Sequence, residues 1–166
     1  MRVGIISDTH MPKRAKKLPK KLIEGLQAVD LIIHAGDWTS LDVYHELLQI
    51  APVLGVFGNV DPYEVQEVFE EKVILEVSGF KIGVIHGHAG KTKNTPARAL
   101  EAFQDNKMDV IIFGHSHIPY KEVIENTLLF NPGSPTDKRF QPQYSFGLME
   151  IHEAIQIEHQ FYKDKG

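Results

Sequence analysis

Five short segments of this 166-residue chain carry side chains able to bind a divalent metal: Asp8-Thr9-His10, Gly36-Asp37, Gly58-Asn59-Val60-Asp61, His86-Gly87-His88 and Gly114-His115-Ser116-His117. Carboxylate, amide and imidazole groups without any thiolate suit borderline-hard divalent ions. The chain has no cysteine, so thiolate sites and a disulfide framework are both excluded. In Asp8-x-His10, His86-x-His88 and His115-x-His117 the i, i+2 spacing places both side chains on one side of an extended chain. Glycines at 36, 58, 87 and 114 relieve crowding beside these residues. Taken singly, each segment also has a plain structural reading as a turn aspartate, a helix cap or a hydrogen-bonded histidine. Five in succession, each after a predicted strand, point to a metal centre.

The elements that must position these segments follow from hydrophobic periodicity. Strands are predicted over 2–7, 30–34 and 53–57, and helices over 18–28 and 40–50, the second with Ser40 as N-cap. This β-α-β-α-β start implies parallel strands. Beyond it, residues 73–77 and 81–85 flank Ser78-Gly79 as a hairpin, and Thr95-Pro96 opens a helix to about Asn106 with Thr95 as N-cap. A strand over 110–113 and strand pairs around Glu125-Asn126 and His152-Glu153 complete the pattern. His34, inside the second strand, and His45, on a helix, read as structural; His152 and His159 read as surface or core polar residues. One α/β domain over residues 1–166 with mixed sheets accounts for the whole chain. In open α/β sheets ligands bind beyond the carboxyl ends of strands, where these five segments fall.

Composition narrows the function. Hydrophobic residues make up 42% and charged residues 24%, as in globular proteins, which argues against disorder. No segment approaches the ~20 apolar residues of a membrane span and no signal peptide is recognisable, so a cytoplasmic setting is expected. The net charge of −4 argues against broad nucleic-acid binding. The cations cluster at Lys13, Arg14, Lys16, Lys17, Lys20 and Lys21, either as solvated surface or as a rim that attracts anions.

The order Asp-x-His, Gly-Asp, Gly-Asn-x-Asp, His-Gly-His, Gly-His-x-His resembles the calcineurin-like metallophosphoesterase superfamily over essentially the whole chain. The length, Gly58-Asn59-Val60-Asp61 and Asn131-Pro132-Gly133-Ser134 are similar to the small phosphodiesterases of the YfcE and MJ0936 type. The resemblance implies an α/β fold built as a two-sheet mixed β-sandwich flanked by helices. It implies that Asp8, His10 and His117 hold one divalent ion, that Asn59, His86 and His115 hold a second, and that Asp37 bridges them. The activity implied is that of a phosphoesterase, foremost a phosphodiesterase, that drives metal-activated hydroxide onto a small phosphate ester. Manganese is the favoured metal, with nickel, zinc, iron and magnesium as alternatives.

Asp61 belongs to the implied catalytic site as support for the ligands beside it. Many superfamily members carry histidine after the asparagine, assigned to leaving-group protonation; this chain has Val60. His88 is the nearest replacement as proton donor, with a supporting or substrate-positioning role as the alternative. Asn59, Asn131, Ser134 and Arg139 are candidate substrate contacts, Arg139 through a bidentate clamp on phosphate. The alternative for Asn131 to Ser134 is a polar turn. Two rival functions stand beside the enzyme. One is an interaction scaffold with little catalysis, as in the retromer subunit Vps29. The other is a nuclease of the same superfamily, favoured by the basic run and opposed by size and net charge. A homo-oligomer is compatible with these features.

Overall fold

The computed structural model describes residues 1–166. Ten strands and four helices follow one another as β1 (Arg2–Ile6), α1 (Lys20–Leu26), β2 (Leu31–His34), α2 (Leu41–Leu48), β3 (Val53–Gly55), α3 (Tyr63–Gln66), β4 (Lys72–Val77), β5 (Phe80–Ile85), α4 (Thr95–Ala102), β6 (Val110–Ile112), β7 (Tyr120–Ile124), β8 (Thr127–Asn131), β9 (Tyr144–Ile151) and β10 (Ile155–Tyr162). They form two five-stranded sheets, ordered β10-β9-β1-β2-β3 and β4-β5-β6-β8-β7. In the first, β1, β2 and β3 run parallel; in the second, β5, β6 and β8 do. The remaining strands pair antiparallel at the outer positions. The mixed two-sheet α/β architecture flanked by helices is the one expected.

Strand alternation builds the layers. Val3 and Ile5 of β1, Ile33 of β2, Val84 of β5 and Val110 and Ile112 of β6 meet between the sheets. The residues of opposite parity, Ile6 and Ile32, turn outward onto Leu22 and Leu26 of α1 and Val43 and Leu47 of α2. On the other sheet Ile111 and Leu129 face Ala99 of α4 and Phe103. Strands covered on both faces must be apolar nearly throughout, which is why β1, β2 and β6 read as continuous hydrophobic runs. Truncating a fully buried isoleucine of the central layer, such as Ile112, removes about 2–5 kcal/mol. No helix is long and apolar enough to cross a membrane.

Several boundaries differ from the sequence expectation. Helix α1 starts at Lys20 because Pro19 sits outside it with extended ψ, at 142°. Ser40 caps α2 as expected, its Oγ accepting from Asp42 N at 3.1 Å. The cap of α4 is Asn94, whose Oδ1 accepts from Ala97 N at 2.9 Å, so Thr95 is the first helical residue. That helix stops at Ala102 rather than Asn106, where Asp105 and Asn106 favour turns over helix. The short helix α3, unforeseen, closes the segment after β3. Ser78-Gly79 and Glu125-Asn126 both have positive φ, as two-residue hairpin turns require.

Candidate metal centre

The parallel strands of both sheets end at one place. The loops after β1, β2 and β3 bring Asp8, His10, Asp37 and Asn59, and those after β5 and β6 bring His86, His115 and His117. Two groups of ligand atoms result, Asp8 with His10 and His117, and Asp37 with His86 and His115, the atoms of each lying within 4.8 Å of one another. Asp37 Oδ2 stands between them, 3.1 Å from His86 Nε2 and 3.5 Å from His10 Nε2. His117 Nε2 is 3.4 Å from Asp8 Oδ1. Two ligands each ~2.1 Å from one ion are separated by ~3.0–3.4 Å, so these spacings fit shared coordination.

The chain's own hydrogen bonds use up one atom of several ligands and leave the other aimed at the centre. Asp8 Oδ2 accepts from Ser7 Oγ at 2.7 Å and from His115 N at 3.0 Å, whereas Oδ1 has no partner. His86 Nδ1 donates to Ala35 O at 2.7 Å and His117 Nδ1 to Asp137 O at 2.6 Å, which turns each Nε2 inward. Such outer contacts set the tautomer and orientation of metal-binding histidines. His115 Nδ1 is 3.2 Å from Asn59 Oδ1, close enough for a hydrogen bond and equally the spacing of two ligands on one ion. Six buried side-chain polar atoms in the chain lack a partner: Arg2 Nε, Asp8 Oδ1, His10 Nε2, His86 Nε2, His88 Nδ1 and His117 Nε2. All but Arg2 Nε belong to this cluster or its neighbour His88, and unsatisfied buried groups are costly unless a ligand completes them. The donor set therefore fits divalent ions.

The electrostatics agree. Burial by itself would raise the Asp8 pKa, but the His86, His10 and His117 rings and the Ser7 hydroxyl outweigh it and hold the carboxyl well below the usual range. Burial likewise opposes ionisation of Asp37, which His86 overcomes. His86 is pushed up to about 9: burial opposes the charged ring, and Asp8 and Asp37 more than compensate. A divalent ion held at the His86 Nε2 would take the place of the proton there.

Backbone conformation corrects one sequence argument. Asp8, His10, Asp37, His115 and His117 all have positive φ, between 46° and 69°. Such left-handed residues cost about 1–3 kcal/mol each and persist only where their surroundings hold them. Here Asp8 N donates to Gly36 O at 2.9 Å, His10 N to Asp37 O at 3.1 Å and Gly114 N to His86 O at 3.0 Å. The Asp8-His10 and His115-His117 segments are not extended, and i, i+2 spacing holds for one pair only: Asp8 and His10 share a group, whereas His115 and His117 part into different groups and His88 joins neither. The glycine expectation holds for close approach at Gly36, Gly58 and Gly114, where a Cβ would run into the His86 ring, the Asp37 carboxylate, and Ser7 and Asp8 respectively. Gly87 instead makes room for Thr95, which is not a ligand.

The family model for the calcineurin-like phosphoesterase superfamily domain matches residues 1–154. The chain belongs to that superfamily. Among its relatives is a probable metallophosphoesterase, MJ0623 of Methanocaldococcus jannaschii, 40% identical over 158 residues that cover 95% of this chain and 80% of the relative. Phosphodiesterase MJ0936 of the same organism is 29% identical over 147 residues, covering 80% and 83%. The fold is that of wild-type Vps29 of Entamoeba histolytica, solved in complex with zinc, at a TM-score of 0.79 and 23% identity over 97% of this chain and 99% of that one. The family is one of metal-dependent phosphoesterases, which supports a hydrolase.

Within this superfamily member the remaining candidate residues divide. Asp61 touches no ligand atom of the centre; its Oδ2 accepts from Asp37 N at 2.9 Å and Gly58 N at 2.7 Å, and its Oδ1 from Thr39 N at 2.7 Å, clamping the loops after β2 and β3 together. Burial raises its pKa against the pull of those three donors. His88 is half-buried with its ring 5.5 Å from that of His86, and burial, then the His86 charge, lowers its pKa. Val60 is 47% exposed at the rim, and its backbone N donates to Asp37 Oδ1 at 3.1 Å.

Asn131 and Ser134, expected as substrate contacts, are turned inward. Asn131 Nδ2 donates to Gly114 O and Ser116 Oγ, both at 3.0 Å, and its Oδ1 accepts from Gly133 N at 2.9 Å. Ser134 Oγ donates to Asp8 O at 2.8 Å and accepts from Asp137 N at 2.8 Å. Both are buried, and through these bonds they brace the ligand loops. Arg139 is exposed in the turn closed by Gln141 N and Lys138 O, close enough to His117 to disfavour its charged form, although burial is the larger influence there. In the basic segment Arg14 pairs with Asp137 at 3.3 Å, while Lys13, Lys16, Lys17, Lys20 and Lys21 are exposed. Residues that sequence did not single out also serve the centre: Ser7 through its hydroxyl, and Ala35 and Asp137 through backbone carbonyls that any residue type would supply.

Proposed function

We propose that the chain, acting as one domain over residues 1–166, is a cytoplasmic phosphodiesterase of small phosphate esters that works with two divalent ions. Asp8, His10 and His117 would hold one ion and Asn59, His86 and His115 the other, with Asp37 available to both. The observation that carries this reading is the convergence of unpartnered buried atoms: His10, His86 and His117 Nε2 lie within 3.8 Å of Asp8 Oδ1, and the first two also within 3.5 Å of Asp37 Oδ2. Two divalent ions held by these residues would supply activation of water and neutralisation of phosphoryl oxygens. Manganese is the favoured ion, and zinc gains support from the zinc complex of Vps29.

The residues themselves do the rest. The Ser7 and His115 hydrogen bonds fix the Asp8 carboxylate, and Ala35 and Asp137 fix His86 and His117, so no ligand need reorganise during turnover. Arg139 attracts the anionic ester toward the His117 side of the cleft. Val60 donates no proton, and His88, half-buried outside both ligand groups with its ring 5.5 Å from that of His86, is favoured for the leaving oxygen or for substrate placement.

The test is metal analysis of the purified chain beside hydrolysis of a nitrophenyl phosphodiester. Two ions per chain, loss of hydrolysis on chelation and recovery with Mn²⁺ are expected. Full activity in the metal-free chain refutes the mechanism.

A further inference from the structure

His34, the last residue of β2, touches no atom of either ligand group, yet it links the loops that carry them. Its Nδ1 accepts from Gly36 N at 3.1 Å, the residue before Asp37. An Nδ1 that accepts carries no proton, so in the neutral ring the hydrogen sits on Nε2, which donates to Thr9 Oγ1 at 3.1 Å. Thr9 lies between Asp8 and His10 in sequence. The ring is fully buried and stacked on Trp38, with centroids 3.7 Å apart and planes 9° from parallel. Trp38 is in turn held by its Nε1 donating to Val56 O at 2.8 Å and by a second stack on Phe69 at 4.3 Å.

Burying an imidazole costs free energy unless its nitrogens are satisfied, and an apolar ring would fill this place beside Trp38 without that requirement. Its two hydrogen bonds end on two of the three loops whose ligands adopt left-handed backbone. Thr9 is further tied through its carbonyl to Thr136 Oγ1, so its hydroxyl is the handle left to β2.

We infer that His34 is a positioning residue for the metal centre: as a neutral Nε2–H tautomer, it holds the Asp8-Thr9-His10 loop and the Asp37 loop at the mutual spacing that two ions require. The role rests on the metal-centre reading above. It is distinct from a packing role, because the ring stack and the two hydrogen bonds can be removed separately. His34→Phe keeps the stack and volume and deletes both bonds. Thr9→Val deletes one hydroxyl at nearly constant volume. His34→Asn sets an amide oxygen near the place of Nδ1 and restores the bond from Gly36 alone.

The experiment is calorimetric titration of the metal-free full chain with Mn²⁺, with near-UV circular dichroism to verify folding. His34→Phe is expected to weaken Mn²⁺ binding about 10–100-fold, the range for partners just outside a metal's ligands, and His34→Asn to recover part of that loss. Thr9→Val weakens binding in the same direction and decides the matter if His34→Phe does not fold. Folded variants that bind Mn²⁺ within twofold of wild type refute the positioning role and leave the metal centre standing. A wild-type chain that takes up no Mn²⁺ refutes the metal-centre reading and this role with it.

Discussion

Replacing Asp61 by asparagine separates support of the centre from membership in it. The carboxylate accepts three backbone N–H groups, two on Oδ2 and one on Oδ1. An amide has a single acceptor oxygen, and its better orientation keeps the Asp37 and Gly58 bonds while turning an NH2 group against the Thr39 N–H. One bond to a charged acceptor is lost and two become neutral, about 2–4 kcal/mol in total. Relief of the buried charge offsets part of this, since burial already raises the Asp61 pKa. At ~2–4 °C per kcal/mol for a chain of this size, the midpoint of thermal unfolding in chelator should fall by about 5–15 °C. Activity should drop no more than about 10–100-fold and recover in excess Mn²⁺, because the ligands survive and only their placement suffers. Asp37→Asn should lose more than about 100-fold without such recovery, since Oδ2 faces both ligand groups. Scanning calorimetry and kcat/KM across a Mn²⁺ series read both effects. A reversed order of activity losses, or an unchanged unfolding midpoint for Asp61→Asn, would show that bridge and support have been exchanged.

Two further outcomes follow from individual side chains. Burial holds the His34 pKa down at about 3 against the pull of Asp8, below the ordinary 6.5. Between roughly pH 6 and pH 4 the unfolded chain therefore binds a proton that the folded chain does not, and this residue's share of stability is lost as pH falls, by up to ~1.4 kcal/mol per unit. Urea unfolding of the metal-free chain should show that acid slope, and His34→Phe should flatten it by about one proton; equal slopes would mean that the folded ring titrates normally. Val60 supplies no acid, so hydrolysis of aryl phosphodiesters should depend steeply on the acidity of the leaving phenol. A positioned acid contributes ~10²–10⁴-fold, and a flat dependence that becomes steep in His88→Ala would identify His88 as the donor.

Residue order alone specified the ligand chemistry and the layers that carry it. Strand parity sorts Val3 and Ile5 from Ile6, and along β6 it sends Val110 and Ile112 to the layer between the sheets and Ile111 to the helix side. The ligand types were legible for a similar reason: with no cysteine, Asp, Asn and His at strand ends are the groups left to bind a divalent ion. What the tertiary structure decided is which side chain meets which. Chain spacing constrains only neighbours: Asp8 and His10, both left-handed, share a ligand group, whereas His115 and His117, equally left-handed, fall into different ones. The inward turn of Asn131 and Ser134 depends on Gly114 O and Asp8 O, groups 17 and 126 residues away. The role of His34 depends on Thr9, 25 residues earlier. A polar residue's partner is set by the packing that brings distant backbone beside it, and that information lies in the assembled sheets rather than in local pattern.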